Sequence, residues 1–580
     1  MLACAQNDCR VVLFKAPFKA LVCVAILVSS LKPAIAQDAG ALQRQLQQEV
    51  ERSKPALPLP AEKPVEKKQS NPNEQTLEVR DFQFKGNTLF TQEELEGVVK
   101  SWRNRPITFS DLQNLIVSIQ EFYAAHNRIA QANIPPQEVK DGILVIQILE
   151  GKMGSVIVEP KNGFASTRFS IANAKLYFAH AANGNQYIDT KPISRAMVLL
   201  NELPGVQAQG SFESGERPGE SNFRVQIADG PLFTGQGALS NYGSPSTGAG
   251  QALANLSLNN PSGPGDQATV DAIQSLGSTY GQLGYSLPVA RDGWRIGLQG
   301  NFLSYKTLSS WSSTQTQGTA STIGANTSYA LLRDQNSNVN LRFAIEDRNY
   351  SNNQSGLNIS QYQITALTAG IQGNFSDSDQ SIVNYSATIT SGNLNINNLT
   401  QAGQDLSGPG TAGAYQKLGF NFSRNQELIF LPRTSWLFSV YGQLANKNLN
   451  SSEQIYMGGP YAVRAYPVSQ GGGSQGIILS TELQHRLDES WQVGVFADLG
   501  LVQQYINLYP SWQGLTNANN NYQLGAIGPT LKYTYEGWLV NAMAAFRIGQ
   551  NPLYNSSGQQ LNTDNAYRAV QGWVKASYYF

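Results

Sequence analysis

The chain has 580 residues, with 41 Lys and Arg against 41 Asp and Glu, and only 14 % of its residues are charged, about half of the usual share of about 25 %. This length exceeds one ordinary soluble core, and the chain lacks the basic excess that a nucleic-acid partner requires. Hydrophobic content is 41 %, yet mean hydropathy is −0.29. This combination of few charged residues and low mean hydropathy indicates β-strands with one polar and one apolar face.

Residues 1–36 are predicted to be a secretory signal peptide. A basic segment, residues 10–19, precedes a short apolar run, residues 20–31, and Ala34-Ile35-Ala36 forms a small-residue cleavage site. A membrane anchor would need about 20 apolar residues, which this run does not supply. Cleavage would leave 37 basic and 40 acidic residues, a formal charge of −3.

All three cysteines lie within this predicted signal, at positions 4, 9 and 23. The exported chain would therefore have no disulfides, no thiol chemistry and no cysteine metal site. No later stretch contains 18 or more consecutive apolar residues. If the protein enters a membrane, it must do so as a closed barrel, because only closure pairs every backbone group in hydrocarbon.

Residues 37–53 are predicted to form a helix with a narrow apolar stripe, since Leu42, Leu46 and Val50 are spaced four apart. Such a stripe fits either a frayed terminal helix or a detachable element that docks elsewhere. The next segment, residues 54–75, is rich in Pro, Lys and Glu, which predicts an extended linker. A helix on such a linker can move a long way.

Two α/β modules are predicted next, residues 76–152 and residues 153–230. The first reads as strand, helix, helix, strand, strand, and its first helix begins at a capping box formed by Thr91 and Glu94. The second module repeats the theme loosely, with a strand, two helices and two further strands. The sequence therefore predicts two tandem domains before the main body.

Residues 231–580 differ from the two modules in their hydrophobic periodicity. The helical period is replaced by about sixteen short alternating runs, which are separated by Gly, Asn, Ser and Pro turns. This two-residue period, with an even strand number, is typical of an outer-membrane barrel. The last run alternates and ends in Tyr578 and Phe580, which we interpret as a terminal barrel signal. Soluble β-sandwiches also alternate, so the prediction depends on the signal peptide and the number of runs as well.

One loop carries an arginine in an apolar setting: residues 458–467 read GGPYAVRAYP. A surface loop does not need so many apolar neighbours, and a lipid-facing strand should not carry arginine. The candidate functional residues of this loop are Gly458, Gly459, Val463, Arg464, Ala465 and Tyr466.

A partner for Arg464 follows two runs later, in the stretch FADLG, where Phe496, Asp498 and Gly500 share one face. If this face points into the barrel, Asp498 is a carboxylate among apolar groups, and a planar guanidinium is its natural partner. The loop would then fold back into the barrel and be held there by this pair. The alternative is an exposed arginine in a surface loop.

These motifs resemble the outer-membrane transporters of two-partner secretion, the TpsB family of ShlB/FhaC/HecB type, which is related to the barrel-assembly insertases. VRAY at 463–466 is similar to the family's VRG(Y/F) loop motif, and FADLG to its inner-wall motif. FQFKGNTLF and PPQEVKDGILVIQILEGKMG resemble the first POTRA domain, and residues 37–53 resemble the plug helix. Ala465 stands where the family usually has Gly; a site that needs positive φ would require a different loop tip here.

The resemblance implies a mainly β fold: a transmembrane antiparallel barrel of about sixteen strands, preceded by a plug helix and two periplasmic POTRA domains, with an inward-folded loop at residues 450–475. It implies secretion of an unfolded exoprotein that carries an N-terminal secretion domain, through the barrel and without nucleotide, cofactor or metal. Expected partners are that exoprotein, outer-membrane lipid and the barrel-assembly machinery, with no nucleic acid. The exoprotein's identity stays open.

Three other functions compete with this interpretation. A passive porin would explain the barrel but not the two modules, and an insertase would usually carry more POTRA domains and no plug helix. An enzyme is disfavoured because His126, His180 and His485 share no metal or catalytic spacing and no GxSxG motif is present.

Overall fold

The computed structural model describes residues 38–53, 76–139, 141–161, 167–179, 187–217, 219–312, 315–334, 336–377, 381–513, 519–554, 558, 560, 562 and 568–580. The predicted signal peptide (1–36), the predicted linker (54–75) and His180 lie outside the described residues.

The first α/β domain folds around a buried core that includes Phe82, Leu115 and Tyr123. The predicted capping box at Thr91 is present. Its elements are β1 Thr76–Val79, β2 Asp81–Lys85, helix Gln92–Val99 with a 3-10 turn Lys100–Trp102, β3 Arg105–Thr108, helix Phe109–Ala125, β4 Ala130–Asn133 and β5 Ile143–Glu150.

The predicted element order of this domain is wrong in two respects. The first predicted strand is divided into β1 and β2, which belong to different sheets, and β3 is a strand that the sequence did not reveal. It has only four residues and pairs antiparallel with β1 alone. It also contains Pro106, which has no backbone N–H to donate and is therefore confined to strand edges. The other three strands form a separate sheet in the order β2-β5-β4.

The second α/β domain has a three-stranded sheet in the order β6-β8-β7, in which β6 and β8 are parallel. Its core buries Leu200, Val225 and Ile227 completely. The elements are β6 Lys152–Pro160, helix Ile171–Tyr177, helix Thr190–Asn201, β7 Val206–Ser214 and β8 Glu220–Asp229.

This second domain is fastened to one end of the barrel. Glu202 accepts a hydrogen bond from Arg333 Nε at 2.6 Å, and Arg168 Nη1 donates to the carbonyl of Asn259 at 2.9 Å. Since Asn259 and Arg333 close their strands at turns on the same end, this end faces the α/β domains.

The main body is a closed antiparallel barrel of sixteen strands, in which the last strand pairs with the first. Exposed apolar side chains such as Leu298, Ile323 and Leu367 alternate with buried inward positions, as a lipid-facing wall requires. The strands are β9 Phe233–Ser240, β10 Gln251–Asn259, β11 Gln267–Ser275, β12 Ser278–Pro288, β13 Trp294–Lys306, β14 Thr316–Arg333, β15 Ser337–Gln354, β16 Leu357–Ser376, β17 Ile382–Ile396, β18 Gly413–Glu427, β19 Thr434–Ala445, β22 Gln475–Arg486, β23 Trp491–Gln503, β24 Asn521–Tyr535, β25 Trp538–Ile548 and β26 Val570–Tyr579.

Two elements fill much of the lumen. One is helix α1, Ala39–Ser53. The other is the segment between β19 and β22, residues 446–474, here called the inward loop; it contains the short strands β20 Ile455–Tyr456 and β21 Gly472–Gly473. Among the described residues, no helix has both the length and the apolar content needed to cross a bilayer. A further short helix, Leu399–Ser407, lies between β17 and β18.

Candidate functional site

The tip of the inward loop is a tight reversal that requires its two glycines. Gly459 has a φ of +122°, which favours glycine. A Cβ on Gly458 would stand 2.2 Å from the carbonyl oxygen of Pro467, closer than any side chain permits. The reversal is closed by a hydrogen bond from Gly459 N to the carbonyl of Tyr466 at 3.1 Å. Val463, Ala465 and Tyr466 beside the arginine are completely buried.

Arg464 lies against the inner wall and binds Asp498 in the bidentate geometry predicted from the sequence. Its Nε and Nη2 donate to the two carboxylate oxygens, each at 2.9 Å, and its backbone N donates at 3.1 Å. Nη1 reaches Glu482 at 2.7 Å and Nη2 also reaches Ser480 at 3.1 Å. The Asp498 side chain is fully buried, so this carboxylate depends on Arg464 and on Ser480, which donates to it at 2.7 Å.

The other two residues of the predicted inner-wall motif shape the seat of the guanidinium. Arg464 Cζ stands 3.4 Å from the ring centroid of Phe496, a cation–π arrangement. Gly500 leaves space for the loop, because a Cβ there would lie 2.8 Å from Val463 Cγ2 and 3.1 Å from Met457 Sδ. The motif therefore combines a stacking face, a counter-charge and a gap.

Two further contacts to the loop tip come from the last two strands, and sequence reasoning missed both. Trp573 Nε1 donates to the carbonyl of Arg464 at 2.7 Å. Arg547 Nε donates to the carbonyl of Ala465 at 3.2 Å, and its Cζ lies 4.5 Å from the Tyr466 ring centroid. Ala465 does not adopt positive φ, so the alanine in place of the usual glycine is accommodated without strain.

A second ionic cluster holds the first limb of the inward loop and was not predicted. Glu453 lies in a loop rich in polar residues, and its side chain is almost fully buried. One of its oxygens lies 2.6 Å from Arg348 Nη1 and the other 2.6 Å from Lys417 Nζ. Since Arg348 is on β15, Lys417 on β18 and Asp498 on β23, the loop is held to distant parts of the wall by its first limb and by its tip.

Helix α1 docks in the lumen through the predicted stripe. Leu42, Leu46 and Val50 are buried in one apolar cluster with barrel residues, including Leu303 on β13 and Tyr350 on β15. The frayed-helix alternative does not describe this packing. Most polar contacts of the helix go to neutral groups, such as the one from Gln43 Nε2 to Thr322 at 3.2 Å.

One ion pair joins the helix to the wall, and the same side chain joins it to the loop. Glu49 accepts from Lys575 Nζ at 2.5 Å and from the hydroxyl of Tyr461 at 3.2 Å. Arg52 Cζ lies 4.6 Å from the ring centroid of Tyr461. The two lumenal elements therefore contact each other at Tyr461, a residue that the sequence did not single out.

The predicted terminal residues lie at the closing seam. Phe580 N donates to the carbonyl of Gly235 at 3.0 Å, and Gly235 N donates back to the Phe580 carbonyl at 3.0 Å. The Tyr578 ring lies 5.1 Å from that of Trp538, and both are exposed on the outer face.

The two histidines that the structure describes lie in different parts of the chain. His126 Nδ1 lies 2.8 Å from the carbonyl of Phe122 at the end of a helix, and His485 Nδ1 lies 2.9 Å from the Thr434 hydroxyl. Among the described residues, no group of three His, Cys, Asp or Glu is arranged to hold a metal.

Comparison with known proteins identifies two matching regions. Residues 219–516 match the family described as haemolysin secretion/activation protein ShlB/FhaC/HecB. Residues 77–151 match the ShlB-type POTRA domain.

The individual relatives share a quarter or less of their aligned residues with this chain. The chain is 25 % identical over 477 residues to the heme/hemopexin transporter protein HuxB of Haemophilus influenzae, covering 80 % of this chain and 82 % of that protein. It is 23 % identical over 442 residues to the outer membrane transporter CdiB of Dickeya dadantii, covering 73 % and 74 % of the two chains. The solved structure of CdiB from Escherichia coli superimposes with a TM-score of 0.64 at 20 % identity, covering 95 % of this chain and all of that one.

The family match spans just over half of the chain, from the second α/β domain through most of the barrel. The closed sixteen-stranded barrel and the POTRA match agree with it. The chain belongs to the ShlB/FhaC/HecB family of haemolysin secretion/activation proteins, the outer-membrane transporters of two-partner secretion, whose POTRA domains lie in the periplasm.

Proposed function

We propose that this chain binds an unfolded partner exoprotein in the periplasm and passes it through its barrel to the cell surface without nucleotide hydrolysis. The observation that carries the proposal is a closed barrel whose lumen is filled by two protein elements, with α/β domains fastened to one end. A passive porin needs neither feature. The relatives HuxB and CdiB, which are named as transporters, also support a transport function.

Recognition would begin at the open sheet edges of the α/β domains. In the second domain the edges are β6 and β7, and the distal half of β7, residues 210–214, is largely exposed. An extended segment can add to such an edge through main-chain hydrogen bonds, which demand little of its sequence. This suits a substrate that arrives unfolded.

Passage would follow through the lumen. A barrel of sixteen strands is wide enough for an aqueous channel, and helix α1 together with the inward loop obstructs it. We propose that helix α1 acts as a plug that leaves during transport, whereas the inward loop, anchored by Arg464 and Glu453, stays as a partial obstruction or shifts. Folding of the exoprotein outside would prevent its return.

Several further assignments are proposals of the same kind. We propose the domain division 37–53, 76–152, 153–230 and 231–580, and no catalytic role. The exposed apolar outer face supports contact with outer-membrane lipid. Tyr578 and Phe580 at the closing seam would serve as the signal that the barrel-assembly machinery reads during insertion.

The test needs the partner exoprotein, which is sought among large secreted proteins whose genes neighbour the gene of this chain. Cells expressing both should release that protein into the medium, and cells lacking this chain should retain it. Deleting residues 76–230 should abolish release even though the barrel still inserts. If release does not depend on the chain but other outer-membrane barrels fail to assemble and viability is lost, the chain is an insertase. If small-solute uptake alone depends on it, it is a porin.

A further inference from the structure

We propose that the turn between β18 and β19 enters the periplasmic leaflet of the outer membrane and binds phospholipid there, as an anchor for the rim opposite the second α/β domain. The turn, residues 428–433, reads LIFLPR and is here called the apolar turn. It lies at the end of the barrel that carries the α/β domains. The inference does not depend on secretion, because it needs only the outer-membrane location of the chain.

The apolar turn exposes bulky side chains although hydrogen bonds fix its backbone. Leu431 N donates to the carbonyl of Leu428 at 3.0 Å, and Thr434 N donates to the carbonyl of Leu431 at 3.1 Å. Two successive tight turns therefore place Ile429 and Phe430 at the corner positions of the first one. These two residues are 87 % and 77 % exposed, so no described part of the chain covers them.

The conformational needs of a turn do not account for these residues. Corner positions favour Gly, Pro, Asn, Asp and Ser, because of their backbone preferences and local hydrogen bonds. The neighbouring turns at this end follow that rule, since residues 377–381 read DSDQS and residues 488–490 read DES. Ile and Phe have no such preference. Exposed apolar side chains without a role in the local fold indicate an interaction surface.

The apolar turn lies on the rim opposite the attachment of the second α/β domain. That domain binds the carbonyl of Asn259 through Arg168, and Asn259 is the last residue of β10. The apolar turn follows β18, which is eight strands from β10 in a closed barrel of sixteen. The two points are thus half a circumference apart. A contact made by the apolar turn would brace the barrel on the side opposite the domain.

The apolar turn is continuous with an aromatic belt on the outer wall. Arg433, its last residue, donates from Nη1 to the carbonyl of Leu487 at 3.3 Å. Leu487 N donates to the carbonyl of Trp491 at 2.9 Å, and the centroid of the Trp491 ring lies 4.5 Å from that of Tyr533. Both rings project outward, since their strands bury the even-numbered residues. Aromatic belts of this kind mark the membrane–water interface, so the apolar turn lies at the edge of the membrane.

Phospholipid is the occupant that this chemistry and this position favour. The apolar side chains continue a surface that already faces lipid, and the exposed guanidinium of Arg433 is a strong donor to phosphate oxygens. The nearby Asp488 carboxylate accepts hydrogen bonds from Ser490 N and Trp491 N within its own turn. Interfacial helices bury their apolar side chains about 5–10 Å into the boundary of headgroups and acyl chains. We expect a comparable depth for Phe430.

Fluorescence quenching in the full-length chain tests the location. The three native cysteines, all before residue 24, are replaced by Ser, and a single thiol is introduced by Phe430→Cys and labelled with a small dye. The matched control is Glu489→Cys, an exposed position in the turn between β22 and β23. Each protein is reconstituted into vesicles of phosphatidylethanolamine and phosphatidylglycerol, with or without bromine on the acyl chains. Heat-dependent gel migration confirms that every variant is a folded barrel.

We expect brominated lipid to quench the dye at 430 about threefold more than the dye at 489, and aqueous iodide to show the reverse order. Equal access of iodide to the two dyes would overturn the proposal, since the apolar turn would then lie in water. A dye at 430 that is shielded from both quenchers would overturn it as well, because a second copy of the chain would then cover the turn.

A second arm separates the apolar side chains from the position of the turn. The thiol is introduced by Leu431→Cys, and Ile429→Ser and Phe430→Ser are added to that chain. The two serines should lower lipid quenching at 431 to the level measured at 489, whereas Glu489→Ser in the same background should leave it unchanged. Quenching that persists with both serines would refute anchoring by these side chains, because the height of the barrel alone would then set the depth.

Discussion

The inward loop and helix α1 share the same lumen but are held in different ways. The loop is continuous with the barrel at both ends, and buried charges fix its tip, through Arg464 with Asp498 and Glu482, and its first limb, through Glu453 with two cations. The helix is held by an apolar stripe, by hydrogen bonds to neutral groups and by one ion pair to Lys575. Breaking a buried charge pair strands a charge, whereas an apolar stripe and neutral hydrogen bonds can be exchanged for other partners. We therefore expect the loop to stay in the lumen and the helix to be able to leave it.

The largest effect is expected from Arg464→Ala. The change leaves the fully buried Asp498 carboxylate beside Glu482 without a cation, and removing one partner of a buried pair costs about 3–5 kcal/mol. The loop should detach and secretion should fail, while the barrel remains inserted. The measurement is release of the exoprotein, together with the amount of folded barrel in the outer membrane.

Two further variants separate charge from geometry at this site. Arg464→Lys keeps the charge but loses the bidentate fork and should secrete at an intermediate level. Arg464→Ala with Asp498→Ala should recover part of the stability relative to Arg464→Ala alone, since the fully buried carboxylate is removed with its partner and only Glu482 loses its cation. Full secretion by Arg464→Ala would show that the loop does not need its ionic anchor.

Leu46→Ala should loosen the helix without disturbing the loop. Leu46 is fully buried in the lumen, and truncating such a side chain costs about 2–5 kcal/mol. A loss of about 2 kcal/mol would raise the undocked fraction about 30-fold. Planar-bilayer recordings should show more frequent open intervals, approaching those of a chain lacking residues 37–53.

The control is Glu51→Ala, an exposed position on the same helix, which should open the channel no more often than the unmodified chain. If deletion of residues 37–53 leaves the conductance unchanged, helix α1 is not a plug.

Sequence reasoning located the loop anchor because both motifs are local and both resemble motifs of the two-partner secretion transporters. The loop follows β19, the eleventh strand in barrel order, and Asp498 lies on β23, the thirteenth, which agrees with the two runs counted between them in the sequence. The two residues are 34 positions apart, and the two-residue period placed Asp498 on one face with Phe496 and Gly500, which the structure turns inward.

The contacts of the helix could not be predicted in this way. Glu49 and Lys575 are 526 positions apart and meet only because the barrel closes and the helix turns back into it. The same holds for Glu453, whose partners Arg348 and Lys417 lie on separate strands. Residue spacing along the chain does not determine which charged side chains face each other across the lumen. Single charged residues in strands therefore could not be assigned partners from the sequence.

Gly500→Ala should disturb the loop sterically while leaving its charges in place. The new Cβ would lie 2.8 Å from Val463 Cγ2 and 3.1 Å from Met457 Sδ, and overpacking of this kind costs about 1–3 kcal/mol. Because methionine is flexible, the lower end is expected. Secretion should fall, but less than in Arg464→Ala. Gly572→Ala, where a Cβ meets nothing within 4 Å, is the control; equal effects of the two changes would show that the gap at 500 is unimportant.

The smallest effect is expected at the Glu150 carboxylate. Neutral hydrogen-bond donors surround Glu150, whereas a guanidinium binds Asp498. In the first α/β domain, Glu150 accepts from Thr88 N, Leu89 N and the Tyr123 hydroxyl, each at 2.9 Å. Burial raises the pKa of Glu150, but the hydrogen bonds from Thr88, Leu89 and Tyr123 outweigh it and leave the pKa lower than usual.

Because the folded-state pKa is depressed, Glu150 stabilises the domain above the unfolded value of about 4.3, and this stability is lost as the pH falls through the lower folded value. Hydrogen-exchange protection factors of residues 143–150 in the full chain should therefore drop as the pH falls below about 4.3. Glu150→Gln should lower protection at neutral pH and remove this part of the pH dependence. Since neutral donors and not a cation lower this pKa, Thr88→Val should also reduce the dependence, and an unchanged profile in that variant would show that the donors do not set it.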